Sequence, residues 1–482
     1  MQVASILIDR GTVITMDTQR RIIDNGAVVI EQDRIQAIGH RRDIVGTRKF
    51  DETIDASDMV VLPGLIDCHA HAGHGLLKSL GTDLGDSWNE ACEKIYSQAS
   101  SAEFWEAEAE LATLERLKFG ITCGVSLLGG GNSIYRSDDP IYAARHCAAV
   151  ERVGIRSFLA VGPCPPPYPR TFTQWHDGRA TNHTVSLEDQ LETCESVIHA
   201  NHATVGGRIH VCLVSPTVHP DEVSSAVNAQ HAHALNQQAL ETRALSRRHG
   251  LLFTQDGHRR GSVQYAHDHL DLLGPDALLS HSIDLSDEEV AIAAATDTRI
   301  VHNPSAIAAI MGRCPVTELL DAGVTVVIGS DATAPDRSSD LFRHMQQCMH
   351  YHRRHFRDPS VLPPGKTLEM VTIDAARALG QSHVIGSLEA GKKADLILLD
   401  LFKPHTYPLQ MPLYRAVYFA NGNDVDTVIV DGKILMRGRE AVTVDERAVL
   451  KRAAQESQLA LERSGLEGLT RMPERVWGHS RF

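Results

Sequence analysis

Eight short apolar runs separated by amphipathic stretches constrain the fold of this chain more than any other feature. They read "VVLPGLIDCHAH", "GITCGVSLL", "GIRSFLAVG", "GRIHVCLVS", "GLLFTQDG", "ALLSHSID", "TRIVHNPS" and "VTVVIGSDA". Strand-like runs alternating with helical patterns indicate a parallel α/β architecture, and eight such units predict a (β/α)8 barrel. Both ends of the chain behave differently. "ASILIDRGTVITMD" and "GAVVIEQDRIQAIG" near the start, and "KKADLILLDL" and "VDTVIVDGKILMRGRE" near the end, read as short strands with turns. We expect them to meet as a small composite β-sandwich formed by both terminal segments. The expected division is sandwich over 1–60, barrel over 61–385, and the rest of the sandwich plus a C-terminal helix over 386–482. A rigid extended loop over the barrel mouth is expected at "PCPPPYP", Pro163 to Pro169.

Composition narrows the function classes. A formal charge of −14 offers no clustered Lys/Arg for phosphate, so nucleic acid is not an expected partner. No apolar run approaches the ~20 residues that cross a bilayer, and the start lacks the basic-then-apolar layout of a secretory signal. The nine cysteines include no C-x-x-C, which suits a reducing compartment and argues against a Cys-based zinc cluster. The expectation is a cytoplasmic homo-oligomer acting on a small neutral molecule, with no membrane partner.

With 26 His among 482 residues, roughly one His-x-His pair is expected by chance, and four occur. His231/His233 and His350/His352 lie in helical patterns, where residues two apart diverge by about 200° and cannot easily share an ion. His267/His269 does not follow a strand-like run. His69/His71 does, and on a strand both rings project from one face. Cys68 between them is read as a buried thiol. In such barrels the chemistry sits at the strand C-terminal ends. Those ends carry His69 and His71 on the first run, His281 on the sixth, His302 on the seventh and Asp331 on the eighth. Imidazole and carboxylate suit zinc or another divalent first-row ion, which can bring its water to a pKa of about 7. Such chemistry is hydrolytic.

"PGLIDCHAH", "LLSHSIDLSDEE", "IVHNPSA", "VTVVIGSDATAPD" and "IGSLEAGKKADLILLD" resemble, in order, the amidohydrolase superfamily, and in particular its triazine-hydrolase and chlorohydrolase-like subgroup. The resemblance implies one divalent ion per chain, zinc first, with iron or cobalt as alternatives. It implies His69, His71 and Asp331 as ligands, His281 as the histidine facing the ion's water or the substrate carbonyl, and His302 as a substrate-pocket histidine.

The fifth run departs from the subgroup. Ring deaminases have His-x-x-Glu there, with histidine on the metal and glutamate moving a proton to the ring nitrogen; this chain reads "LLFTQDGHRRG". A gapless alignment puts Gln255 at the histidine position, as a weak ligand or substrate contact, and His258 at the glutamate position. Alternatively the strand end shifts and His258 reaches the metal, or the ion keeps three protein ligands. With that glutamate absent, the expected reaction is attack of metal-activated water on an amide, urea or carbamate carbonyl. Asp331 takes the water proton, His281 polarises the carbonyl and His258 protonates the leaving amine. In this respect the chain resembles the phenylurea and thiocarbamate hydrolases. The alternatives are a hydrolytic deaminase or dechlorinase of an N-heteroaromatic ring, and a catalytically silent metal-binding protein. Asp336 and Ser338 are expected to open the helix after Asp331.

Overall fold

The computed structural model describes residues 5–82, 87–130, 134–224, 229–306 and 308–481. Eight parallel strands form the barrel: Leu65–Asp67, Ile121–Leu127, Arg156–Val161, Ile209–Pro216, Phe253–Asp256, Ala277–Ser280, Arg299–His302 and Val326–Ile328. They correspond in order to the eight apolar runs. The ring closes just beyond the first and eighth strands, where Ala70 bridges Asp331 in parallel and the Asp331 amide donates to the His69 carbonyl at 2.8 Å. Closure therefore happens at the candidate ligands themselves.

A second sheet of nine strands draws on both termini. Its central pairing sets Leu396–Asp400 antiparallel to Met59–Pro63, so the chain ends meet as expected. The first apolar run is consequently divided between two sheets. Met59–Pro63 belongs to the terminal sheet and Leu65–Asp67 to the barrel, with Gly64 between them. A Cβ at Gly64 would lie 2.0 Å from the Thr122 hydroxyl, so the sharp passage from one sheet to the other needs a residue without a side chain.

His231 and His233 lie on the helix Ala229–His249, and His350 and His352 on the helix Leu341–Phe356, as their patterns indicate. The part of the first pattern at 225–228 lies outside the described residues. The second helix corrects one expectation: its cap is Asp340, whose carboxylate accepts from the Phe342 amide at 3.1 Å, rather than Asp336 or Ser338. After "PCPPPYP" the chain forms a β-hairpin, Arg170–His176 with Arg179–Val185, that the sequence reading did not anticipate. Its turn is Asp177-Gly178, both at positive φ (49° and 74°), the dipeptide that favours a tight hairpin turn. All nine cysteines are free and buried, Cys68 among them. Among the described residues, no helix is long and apolar enough to cross a membrane.

Candidate active site and metal centre

The first strand ends at Asp67, and the next residues extend across the barrel mouth with His69 and His71 on one side. The His71 Nδ1 meets the Gly129 carbonyl at 2.8 Å, which fixes that nitrogen as the donor and turns the Nε2 lone pair inward. The eighth strand brings Asp331 opposite. Its Oδ1 lies 3.5 Å from His69 Nε2 and 3.2 Å from His71 Nε2. Beneath them Asp67 joins the two strand ends. One oxygen accepts from the Ser330 amide at 2.9 Å; the other accepts from the Ser330 hydroxyl at 2.7 Å and from Arg116 at 3.2 Å.

The fifth strand contributes a group that the sequence reading missed. Asp256 places its carboxylate 3.4 Å from His69 Nε2, 3.3 Å from His71 Nε2 and 3.0 Å from His281 Nε2. The Ser280 hydroxyl donates to the same carboxylate at 2.7 Å. Successive strand residues face opposite ways, and it is Asp256 that enters the barrel mouth. The Gln255 amide nitrogen is instead engaged by Ser215 Oγ at 3.2 Å and the Pro216 carbonyl at 3.0 Å. The glutamate of the ring-deaminase pattern is absent, as the sequence reads, but a carboxylate one residue beyond Gln255 stands at this strand end. The available signal was an Asp closing the fifth run just as Asp331 closes the eighth.

His258 lies outside this cluster of contacts. Ser262 donates its hydroxyl to the Arg259 carbonyl, so it accepts from His258 Nδ1 at 2.9 Å, leaving Nε2 buried without a partner. Burial, with His219 nearby, pushes its pKa down to about 3, and a ring held neutral in this way carries no proton for a leaving amine. His281 does face the cluster. Parity again separates His302 from its neighbour: the Asn303 amide lies 3.5 Å from His281 Nε2, while His302 packs against His352 of the outer helix layer, ring centroids 5.4 Å apart. The sequence reading also passed over His74, which stacks on His71 at 4.9 Å, has Trp88 at its edge, and hydrogen-bonds the Tyr96 hydroxyl.

Burial opposes charge on each of the central groups, yet their mutual attraction prevails. The two carboxylates lift His69 and raise His71 to about 10, while the histidines hold Asp256, and Arg337 with the histidines holds Asp331, well below the ordinary carboxylate range. Two buried carboxylates thus demand positive charge between themselves and the rings. Protons can supply it, and so can one divalent cation. Ligand atoms of a four-coordinate site with bonds of about 2.0–2.1 Å stand roughly 3.3 Å apart. The separations of 3.5 and 3.2 Å from Asp331 to His69 and His71 match that spacing. His69 Nε2, which faces both carboxylates, is buried and makes no hydrogen bond, so its lone pair can go to an ion. The residues fit a divalent metal. His281 and Asp331 also adopt left-handed backbone (φ 64° and 61°), a strain of about 1–3 kcal/mol each that clusters at functional sites.

Residues 60–435 match the amidohydrolase family. The chain is 30% identical to the 5'-deoxyadenosine deaminase of Methanosarcina mazei over 93% of its own length and 97% of that protein's. It is 32% identical to the 5-methylthioadenosine/S-adenosylhomocysteine deaminase of Moorella thermoacetica, covering 89% and 94%. Among solved structures, an adenosine deaminase from Xanthomonas campestris with bound zinc has a TM-score of 0.79 at 21% identity, over 95% of this chain and 98% of that one. An atrazine chlorohydrolase from Arthrobacter aurescens complexed with zinc has a TM-score of 0.75 at 20% identity, over 94% and 100%. At that identity the solved structures speak for the fold alone. The two sequence relatives are deaminases rather than phenylurea hydrolases.

Proposed function

The chain belongs to the amidohydrolase family and is a hydrolase of carbon–nitrogen bonds; from that premise we propose that it is a hydrolytic deaminase of an aminated N-heteroaromatic ring, of the purine nucleoside type. This reading replaces the amide, urea or carbamate substrate expected from the fifth run. The observation that carries it is Asp256. The objection to ring deamination was a missing carboxylic acid, and a carboxylate stands at that strand end, 3.0 Å from His281. The deaminase relatives support the same substrate class.

His69, His71 and Asp331 would hold one divalent cation, zinc being the ion that such donors suit best. When bound, the ion supplies an acidified water and draws electron density from the reacting carbon. Asp256 and Asp331 stand at equal range of the histidines, and exposure separates their roles. The Asp331 side chain is 9% exposed and that of Asp256 is 21%, so Asp256 is the carboxylate open to a substrate. Arg337, 3.7 Å from Asp331 Oδ2, keeps Asp331 ionised to accept the water proton. The water that adds gives up two protons: Asp256, held ionised by the histidines, carries one to the ring nitrogen, and Asp331 passes the other to the amine, which departs as ammonia while His281 steadies the added oxygen. Behind His71 the buried rings of His74, Trp88 and Tyr96 pack together and fix its orientation from the side away from the carboxylates.

Incubating zinc-loaded protein with 5'-deoxyadenosine, 5-methylthioadenosine, an aryl urea and a simple amide tests the reading. Ammonia release with replacement of the ring amine by oxygen is expected from the purines. Amine release from the urea or amide, with both purines untouched, would overturn it.

A further inference from the structure

A second cluster of metal-ligating side chains lies behind the seventh strand. Parity at the strand end sends Asn303 to the catalytic side and His302 outward, against the helix Leu341–Phe356. On that helix Cys348 and His352 are four residues apart and so share one face. Ligand atoms of His302, Cys348 and His352 all lie within 4.8 Å of one another, and all three residues are buried. The scattering of cysteines along the sequence hides this meeting, because it needs a strand end and a helix far apart in the chain.

Two further observations indicate a bound cation. First, His302 is 4% exposed and its Nε2 has no hydrogen-bond partner. In the neutral ring that nitrogen offers a lone pair or an N–H to no partner at all. Second, His352 Nδ1 lies 2.8 Å from the Cys348 carbonyl and its Nε2 lies 3.0 Å from the Cys314 carbonyl. A neutral imidazole has one N–H, so one nitrogen must face a carbonyl oxygen lone pair to lone pair unless a positive charge intervenes. A cavity of about 330 Å³, lined by His302, Cys314 and His352 and opening past the half-exposed Tyr351, provides a route in from solvent.

We infer that His302, Cys348 and His352 form a second cation site, distinct from the catalytic centre, for Zn²⁺ or another thiolate-preferring first-row ion. A thiolate with two imidazoles selects such ions over Mg²⁺ or Ca²⁺. Binding deprotonates Cys348, the two rings donate nitrogen lone pairs, and the thiol proton leaves to solvent. The ion would tie the seventh strand to the outer helix one residue from Asn303, which reaches His281.

The test is titration of the holoenzyme, its catalytic site already filled, with Co²⁺ and with Zn²⁺. The catalytic centre contains no sulfur, so a thiolate-to-cobalt charge-transfer band reports the second site in the wild-type protein without any variant. A second equivalent of metal and that band are expected. Cys348→Ser and His302→Gln should each lose both while retaining the first equivalent. Saturation at one equivalent with no thiolate band, or a band that persists in Cys348→Ser, would overturn the inference.

Discussion

At the residue scale, the acidic groups decide how the site is built. Asp67 touches no substrate position; it links the first and eighth strand ends through Ser330 and is balanced by buried Arg116. Replacing it by Asn leaves a neutral amide against a buried guanidinium and loosens the turn that presents Asp331. The expected result for Asp67→Asn is a loss of about 3 kcal/mol in denaturant unfolding, of the size found when one partner of a buried pair is removed. Metal affinity should fall roughly 10–100-fold, as for other groups that orient ligands. Unchanged metal affinity would show that Asp331 does not depend on this link. His69, His71, His281 and Asp331 were legible because each closes an apolar run. Asp256 closed a run equally plainly, but aligning the fifth strand on a missing histidine drew attention to Gln255 and His258. Strand alternation separates neighbouring residues, and a register error of one exchanges a ligand for a wall residue. The same parity moved His302 out of the pocket and brought Asn303 in.

At the scale of elements, the helix Ala102–Lys118 supports the turn that carries His74. Its Glu108 is buried and accepts from the Gly75 amide at 3.2 Å, while its other oxygen has no partner. Burial, only partly offset by the Gly73 and Gly75 amides, raises its pKa from 4.5 to about 7. A carboxyl with a raised folded pKa favours folding most below its unfolded value, and that contribution is lost as pH rises through the folded value. Between pH 4.5 and about 7 the cost grows to roughly 3 kcal/mol, at 1.36 per unit. Glu108→Gln keeps an oxygen for Gly75 and cannot ionise. Its melting temperature should exceed that of the parent at pH 8 and match it near pH 4; an equal gap at both values would contradict the assignment. Helices were legible from their periodicity, as in the patterns that hold His231/His233 and His350/His352, while the cap read at Asp336 or Ser338 lies at Asp340. The hairpin around Asp177-Gly178 was equally marked, but its strands are mostly polar and gave no apolar run to follow.

At the scale of the molecule, barrel and terminal sheet are coupled at more than the Gly64 passage. Arg156, on the third barrel strand, holds Asp395 beside the terminal sheet through two contacts of 2.6 and 3.0 Å, both side chains buried. The two parts should therefore unfold in one transition. Arg156→Met leaves Asp395 buried with its charge uncompensated, an expected loss of about 3–5 kcal/mol. Two separated transitions in calorimetry of the parent protein, or a variant as stable as the parent, would refute this coupling. That both chain ends share a sheet was readable from their β patterns. The division of one apolar run between two sheets was not, because a single Gly marks it and the close approach of Thr122 exists only in the folded chain.

Asp256 is the carboxylate that moves a proton in the proposed reaction rather than one that holds the metal. Metal content and turnover of Asp256→Asn, measured on one preparation with a purine nucleoside as substrate, test it most directly. The prediction is near-full metal occupancy, retained by His69, His71 and Asp331, with turnover lowered by about 10²–10⁴-fold, the range of a lost general acid–base group. Loss of the metal along with activity would make Asp256 a ligand, and undiminished turnover would remove it from the chemistry; either result would contradict the account.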